Sequence, residues 1–313
     1  MSRPGVLVVL PLPERALASL REAYEVHYAP DCPREAVLER AADAGVRAVV
    51  TNGSTGFSAA QMARLPGLEI VCAYGAGVEN VDLAAARGRG IAVTHAPGAN
   101  DSTVADHALA FMLALARGLA GLDRAVRAGR WHSSRAERPT LAGAACGVLG
   151  LGNIGTKISA RAAAFEMRVG YHARRPRDLP WRYHPSVVDL ARASDFLVVA
   201  CPGGAATRHL VDGEALAALG PGGFLVNVAR GSVVDTAALA EALGRGTIAG
   251  AGLDVIEGEP EVPPALLACD NELFTPHVAG RSPAAAAAQR DALAANLAAH
   301  FAGRALHSPV SAP

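Results

Sequence analysis

Aromatic residues are scarce in this 313-residue chain: two Trp, five Tyr and seven Phe amount to 4% of it. Neither sign of charge is in excess, since 29 Lys and Arg face 29 Asp and Glu. That balance argues against nucleic-acid and membrane-surface partners, both of which need a basic surplus to neutralise phosphates. No apolar run reaches the roughly 18–20 residues that span a bilayer. Residues 1–5 lead straight into a strand-like segment at 6–10 with no cleavage-site pattern behind it, so a cytoplasmic protein is expected. The five cysteines, Cys32, Cys72, Cys146, Cys201 and Cys269, lie at least 40 positions apart. Without metal-clip or C-x-x-C spacing they read as reduced, buried thiols, and no metal site is expected. Repeats of 20–50 residues and low-complexity tails are also missing.

What the chain does have is aliphatic and small. It is 51% hydrophobic and 19% charged, with 33 glycines, enough to build a large core and to pack helices closely on sheets. Its length predicts about two domains. Short β-rich runs alternate with Ala-rich helical stretches, the pattern of βαβ units in parallel sheets. Strands are expected at 6–10, 24–28, 48–51, 69–73 and 91–94, and again at 147–149, 168–172, 196–200, 224–228, 250–254 and 272–274. Two sheets fit better than one of eleven strands. The break falls near Pro97 and Gly98, where Asp101, Ser102 and Thr103 offer a cap for a long helix over 104–120. Pro283 opens a final helix to about residue 302.

Gly150-Leu151-Gly152-Asn153-Ile154-Gly155 follows an apolar strand and opens a helical stretch. Glycines there permit a tight turn and close approach of a pyrophosphate to the positive helix N-terminus, which is the context a dinucleotide fingerprint requires. The next strand ends in Tyr171-His172-Ala173-Arg174-Arg175, with Arg174 19 positions past the third glycine. An NAD site places Asp or Glu there for the ribose 2'-hydroxyl; two guanidinium groups favour a 2'-phosphate, hence NADP(H), with NAD(H) as the lesser possibility. A solvated basic turn is the other reading of the pair.

Three further segments carry reactive groups just after strand candidates: Arg230 in Asn227-Val228-Ala229-Arg230-Gly231, Glu259 before Pro260, and His277 in Thr275-Pro276-His277-Val278-Ala279-Gly280. Taken singly, each has a structural alternative: a strand-end ion pair, a turn carboxylate and a satisfied histidine. In an open α/β sheet, however, the carboxyl ends of strands form the ligand crevice, where all three can converge.

With these motifs, and with 75–82, 103–106, 226–231, Val234-Asp235 and 252–255, the chain resembles the D-isomer-specific 2-hydroxyacid dehydrogenases over essentially its whole length. The arginine pair and the stretch 197–207 look most like the NADPH-preferring glyoxylate, hydroxypyruvate and hydroxyphenylpyruvate reductases. The resemblance implies an α/β fold of two Rossmann-like parallel-sheet domains separated by a cleft: a discontinuous, flavodoxin-like substrate domain (1–99 plus 284–313) and an NADP-binding domain (100–283). It makes His277 the general acid, Glu259 its hydrogen-bonding partner, and Arg230 the group that holds the substrate carboxylate and polarises the ketone. Asn52 and the amides of Ala76 and Gly77 are expected at the substrate. Gly150, Gly152, Asn153, Ile154, Gly155, Arg174, Arg175, Cys201, Val228, Ala229, His277 and Gly280 are expected at the cofactor, with Asp254 at the nicotinamide carboxamide. In place of bulkier residues common after the Cys-Pro pair, this chain has Gly203-Gly204-Ala205, which suggests a more flexible loop. The other histidines, His107 and His209 among them, are expected to be structural or exposed.

The expected activity is NADPH-dependent reduction of a small 2-keto acid such as glyoxylate or hydroxypyruvate to the D-2-hydroxy acid. The alternatives are a dinucleotide-sensing corepressor of the same fold and a reductase of a bulkier acid such as hydroxyphenylpyruvate or 2-ketogluconate. The segment 104–131, with Trp131, resembles the arm through which such proteins form homodimers.

Overall fold

The computed structural model describes residues 3–28 and 34–310. Cys32 and the first two residues of the N-terminal reading lie outside the described residues. Strands and helices alternate as β1 (Gly5–Val8), α1 (Glu14–Ala23), β2 (Glu25–Tyr28), α2 (Arg34–Asp43), β3 (Ala48–Thr51), α3 (Ala59–Ala63), β4 (Ile70–Ala73), α4 (Leu83–Gly88) and β5 (Ala92–Thr94). Then come α5 (Asp101–Arg117), α6 (Leu119–Arg127), β6 (Ala145–Leu149), α7 (Asn153–Ala164), β7 (Arg168–His172), β8 (Arg182–Tyr183), α8 (Val187–Arg192) and β9 (Phe196–Val199). The series closes with α9 (Gly213–Leu219), β10 (Phe224–Asn227), α10 (Thr236–Gly244), β11 (Gly250–Leu253), α11 (Pro264–Leu267), β12 (Glu272–Phe274) and α12 (Pro283–Phe301). Two compact units result, one of residues up to Asn100 together with those from Arg281 onward, the other Asp101–Gly280.

The first unit holds a parallel sheet in the order β2-β1-β3-β4-β5, the doubly wound order found in flavodoxin-like folds. Successive side chains of a strand point to opposite faces, and both faces here are apolar. Val6, Val8, Val50 and Ile70 pack with Leu17 and Leu20 of α1 and with Leu293 and Leu297 of α12. Leu7, Val49 and Val71 face Leu38 of α2 and Met62 of α3. Burying each such side chain contributes about 1.5–3 kcal/mol. The chain's last helix is thereby part of the core that its first strands begin.

The second unit has seven parallel strands ordered β12-β11-β10-β9-β6-β7-β8. Counted from β6, that is the dinucleotide-binding order 3-2-1-4-5-6 with one strand added, and its direction reverses between β6 and β9. One face is covered by α5 and α7, through residues such as Met112 and Ile158, and the other by α8, α9 and α10, through Leu190, Leu216 and Leu239. Ser186, Asp212 and Asp235 accept backbone N–H bonds as the caps of α8, α9 and α10.

Three details differ from the sequence reading. The helix expected over 104–120 stops at Arg117, because Gly118 turns left-handed (φ 62°) and begins α6 in a new direction. Asp101 and its two neighbours form the first turn of α5 instead of preceding it. The two-residue strand β8 is too short to produce an alternating pattern. Among the described residues no helix is long and apolar enough to cross a membrane. Cys72, Cys146 and Cys201 are buried, which pushes their thiols up to about 12, 12 and 11, so none is a ready nucleophile.

Candidate active site

All seven strands of the second unit run parallel, so their carboxyl ends share one edge. Along that edge stand Gly150 after β6, Arg174 and Arg175 after β7, Cys201 after β9, Val228 to Arg230 after β10, Asp254 after β11 and His277 after β12.

The turn from β6 into α7 is built by its glycines. Gly150 has φ 97°, and a Cβ there would lie 2.6 Å from the backbone of Cys201; a Cβ on Gly155 would meet the Gly150 carbonyl at 1.9 Å. At Gly152, by contrast, an added Cβ meets nothing within 4 Å. Gly152 is the N-cap of α7 and supplies no side-chain cap, so the helix presents its first-turn amides, beside the exposed Asn153 and half-buried Ile154, to open space. An anion fits that geometry, and a dinucleotide's pyrophosphate is such an anion. Arg174 and Arg175 are exposed, and among the described residues neither makes an ion pair. The loop carrying them is anchored at Arg177, whose guanidinium donates to the Leu151 carbonyl and whose backbone N–H donates to the Tyr171 hydroxyl at 2.7 Å.

His277 Nδ1 lies 2.6 Å from Glu259 Oε1. Burial pushes the Glu259 carboxyl up, but the hydrogen bond and charge of His277, the Ile256 amide and the charge of Arg230 outweigh it and hold the group below the usual range. An ionised carboxylate only accepts, so Nδ1 carries a proton and donates it, leaving Nε2 as the nitrogen able to exchange a proton with a ligand. Because the folded value is depressed, the pair's contribution to stability is complete above the ordinary carboxylate value of about 4.3 and is lost as pH falls through the lower one.

Arg230 is set by its neighbours. Asn227, buried at the end of β10, donates from Nδ2 to the Arg230 carbonyl (3.0 Å) and accepts from the Ala229 amide (3.1 Å). The arginine's own NH1 donates to the Ala229 carbonyl at 2.7 Å. Gly231 fits against the backbone of Ile256 and Glu257, where a Cβ would come within 2.0 Å, and this brings the Arg230 turn against the Glu259 turn. Gly203 lies on the aliphatic stem of Arg230 in the same way, 2.7 Å from its Cγ for an added Cβ. Gly203 therefore serves close packing, whereas Gly204 has φ 131° and an added Cβ there would meet nothing within 4 Å; Thr207 ties the loop by donating to the Pro202 carbonyl at 2.8 Å.

Comparison with known proteins shows the family. Residues 109–279 match the NAD binding domain of the D-isomer specific 2-hydroxyacid dehydrogenases. Similar proteins include a glyoxylate/hydroxypyruvate reductase A of Arabidopsis thaliana, 39% identical over 99% of this chain and 100% of its own. A hydroxyphenylpyruvate reductase of Plectranthus scutellarioides is 40% identical over 85% of each chain. Among solved structures, an NADPH-dependent glyoxylate/hydroxypyruvate reductase from Sinorhizobium meliloti, in complex with NADP and malonate, is 40% identical, with a TM-score of 0.88 over 99% of this chain and 97% of that one. The chain belongs to the D-isomer specific 2-hydroxyacid dehydrogenase family.

This dehydrogenase is thus an oxidoreductase with a nicotinamide-dinucleotide domain. Its Asp254 follows β11 and is tied to the loop after β12. The carboxylate is buried and accepts from Thr275 Oγ1 (2.6 Å), Val278 N (2.8 Å) and Ala279 N (2.9 Å), so its observed partners are the loop that bears His277. Gly280 ends that loop. Within the first unit, Asn52 follows β3, and its side chain accepts from the Thr55 amide at 2.6 Å. Ala76 and Gly77 follow β4; the Ala76 carbonyl is 2.9 Å from His95 Nδ1, and among the described residues the amides of 76 and 77 donate to no other group.

Some residues of the site went unmarked in the sequence. Asn227 could have been found as the one polar residue of the strand Phe224–Asn227. His209 bonds Glu257 (2.9 Å), which Arg208 also pairs at 2.6 Å, and together they brace the Glu259 turn. Nothing in local spacing marks that contact.

Proposed function

We propose that this dehydrogenase reduces a small 2-keto acid of the glyoxylate or hydroxypyruvate class, with NADPH as the preferred reductant, to the D-2-hydroxy acid. The His277–Glu259 pair beside the Arg230 turn carries the reading: a proton donor held by a carboxylate, next to a fixed cation, is what reduction of an anionic ketone requires. The relatives named above support the substrate class, and the arginines after β7 support the 2'-phosphate. When bound, the cofactor supplies the hydride. Gly150, Gly152 and Gly155 with the first amides of α7 take its pyrophosphate, Cys201, Val228 and Ala229 line its path, and Arg174 and Arg175 take the 2'-phosphate.

His277 Nε2 gives its proton to the carbonyl oxygen, and Glu259, accepting from Nδ1, orients the ring. Arg230 holds the carboxylate and draws electron density from the ketone; the family resemblance assigns Asn52 and the amides of Ala76 and Gly77 to the substrate as well. In this reading residues 1–99 with 284–313 serve the substrate and 100–283 the cofactor. Leu119, Val126 and Trp131 are 52%, 47% and 61% exposed, large apolar side chains of one segment that suit a second copy of the chain, and light scattering is expected to give the mass of a homodimer.

Turnover of glyoxylate, hydroxypyruvate, hydroxyphenylpyruvate and 2-ketogluconate with NADPH and with NADH tests the assignment. Fast reduction of a small acid with NADPH is expected; binding of NADPH with no turnover of any acid would make the chain a sensor instead. Glu259→Gln keeps an acceptor for Nδ1 and removes the charge. The kcat for reduction is then expected to fall at least about tenfold, since the neutral amide cannot balance the charge on the ring that donates the proton. An unchanged kcat would show that Glu259 does not serve the proton donor.

A further inference from the structure

We infer that His107 and Thr275 are positioning residues for His277, acting through the Asp254 carboxylate. The inference rests on the reading of His277 as proton donor. His277 has φ 53°, a left-handed conformation that is unfavourable for a non-glycine residue and persists only where surrounding bonds impose it. Those bonds are present. The His277 amide donates to the Asp254 carbonyl at 2.9 Å, and the next two amides, Val278 and Ala279, donate to the two oxygens of the Asp254 carboxylate. Whatever fixes that carboxylate therefore fixes the backbone on which the imidazole is mounted.

The third partner of the carboxylate is Thr275 Oγ1 at 2.6 Å. A hydroxyl has one proton, and the carboxylate oxygen can only accept, so the proton lies toward Asp254. His107 Nε2 stands 3.0 Å from the same Oγ1 and must then carry a hydrogen and donate it. The order of donation is His107 to Thr275 to Asp254, and each bond orients the next acceptor. His107 is itself fixed from behind: its ring meets Phe111, one turn further along α5, edge-on at 4.8 Å. Phe111 in turn lies against Gly252 of β11, where an added Cβ would come within 2.7 Å of its Cγ. A rigid helix packed on the sheet thus sets the loop after β12 from a distance of 168 residues in sequence.

The test compares Thr275→Val with Thr275→Ser, and His107→Leu with His107→Gln, in the full-length enzyme, using hydroxypyruvate and NADPH. Valine and leucine break the donor chain, whereas serine restores the hydroxyl and glutamine can place an N–H near Nε2. The disrupted variants are expected to lose about 10- to 100-fold in kcat, the order that follows from misplacing a reacting group by about 1 Å. Their KM for hydroxypyruvate should change little, and the serine and glutamine variants should recover most of the loss. A variant that only folds less well would reduce the number of NADPH-binding sites while leaving kcat per site in place, and that outcome would overturn the inference. His277→Asn, assayed alongside, separates the two readings. If it keeps full turnover, the proton-donor reading fails; if it loses turnover while the Thr275 and His107 variants keep theirs, the positioning inference alone fails.

Discussion

Replacing His277 by alanine is expected to lower keto-acid turnover by about 10²- to 10⁴-fold, the range associated with one general acid. NADPH binding should survive, because the glycine turn after β6 is separated from His277 by the intervening strands β9, β10 and β11 and makes no bond that depends on the ring. Alanine deletes Nε2, the nitrogen facing away from Glu259, and leaves the Arg230 turn with its Asn227 bonds unaltered. The left-handed backbone at 277 complicates a single substitution, since alanine is less at ease there than histidine. Asparagine tolerates that conformation and cannot donate a proton from an imidazolium, so His277→Asn separates chemistry from backbone. Steady-state turnover together with NADPH fluorescence titration checks both variants. Equal losses in the two would place the effect in proton transfer; near wild-type turnover in either would remove His277 from the chemistry.

The fold was legible where burial on both sides of a sheet turns a strand into an unbroken apolar run, as in Ile70–Ala73 and Phe196–Val199. It was obscured where a single residue decides direction. Gly118 sits within an Ala- and Leu-rich stretch that reads as one helix, yet its positive φ divides α5 from α6. The reactive groups announced themselves by following strands, but what orients them did not. His107 looks like any polar position on an apolar helix, and its partner Thr275 lies in a motif whose histidine draws the attention. Asp254 shows why: spacing reveals that a carboxylate follows β11, whereas only the folded backbone reveals that three donors of one loop converge on it. Local pattern encodes elements, and long-range hydrogen bonds encode the setting of the groups those elements carry.

Replacing Arg174 and Arg175 together by alanine is expected to raise the Michaelis constant for NADPH at least about tenfold while changing that for NADH little. A hydrogen bond to a charged group contributes about 1.5–3 kcal/mol. Both side chains are exposed, so solvent reduces that figure, yet about 1.4 kcal/mol from the pair already amounts to tenfold. Neither arginine has an ion-pair partner among the described residues, so a 2'-phosphate would meet them without displacing an acid. NADH lacks that phosphate and has no charge there to lose. Arg177, three residues beyond Arg174, supplies the control. Its guanidinium donates to the Leu151 carbonyl inside the glycine turn, so Arg177→Ala should loosen the pyrophosphate site and weaken both cofactors alike. Initial rates over a range of each cofactor, at low and at moderate ionic strength, distinguish the two patterns. Screening by salt should narrow the NADPH advantage of the parent enzyme and leave the double variant nearly unaffected. Equal changes for NADPH and NADH in the double variant would mean that these arginines form only a solvated turn and that cofactor choice is made elsewhere on the edge of the sheet.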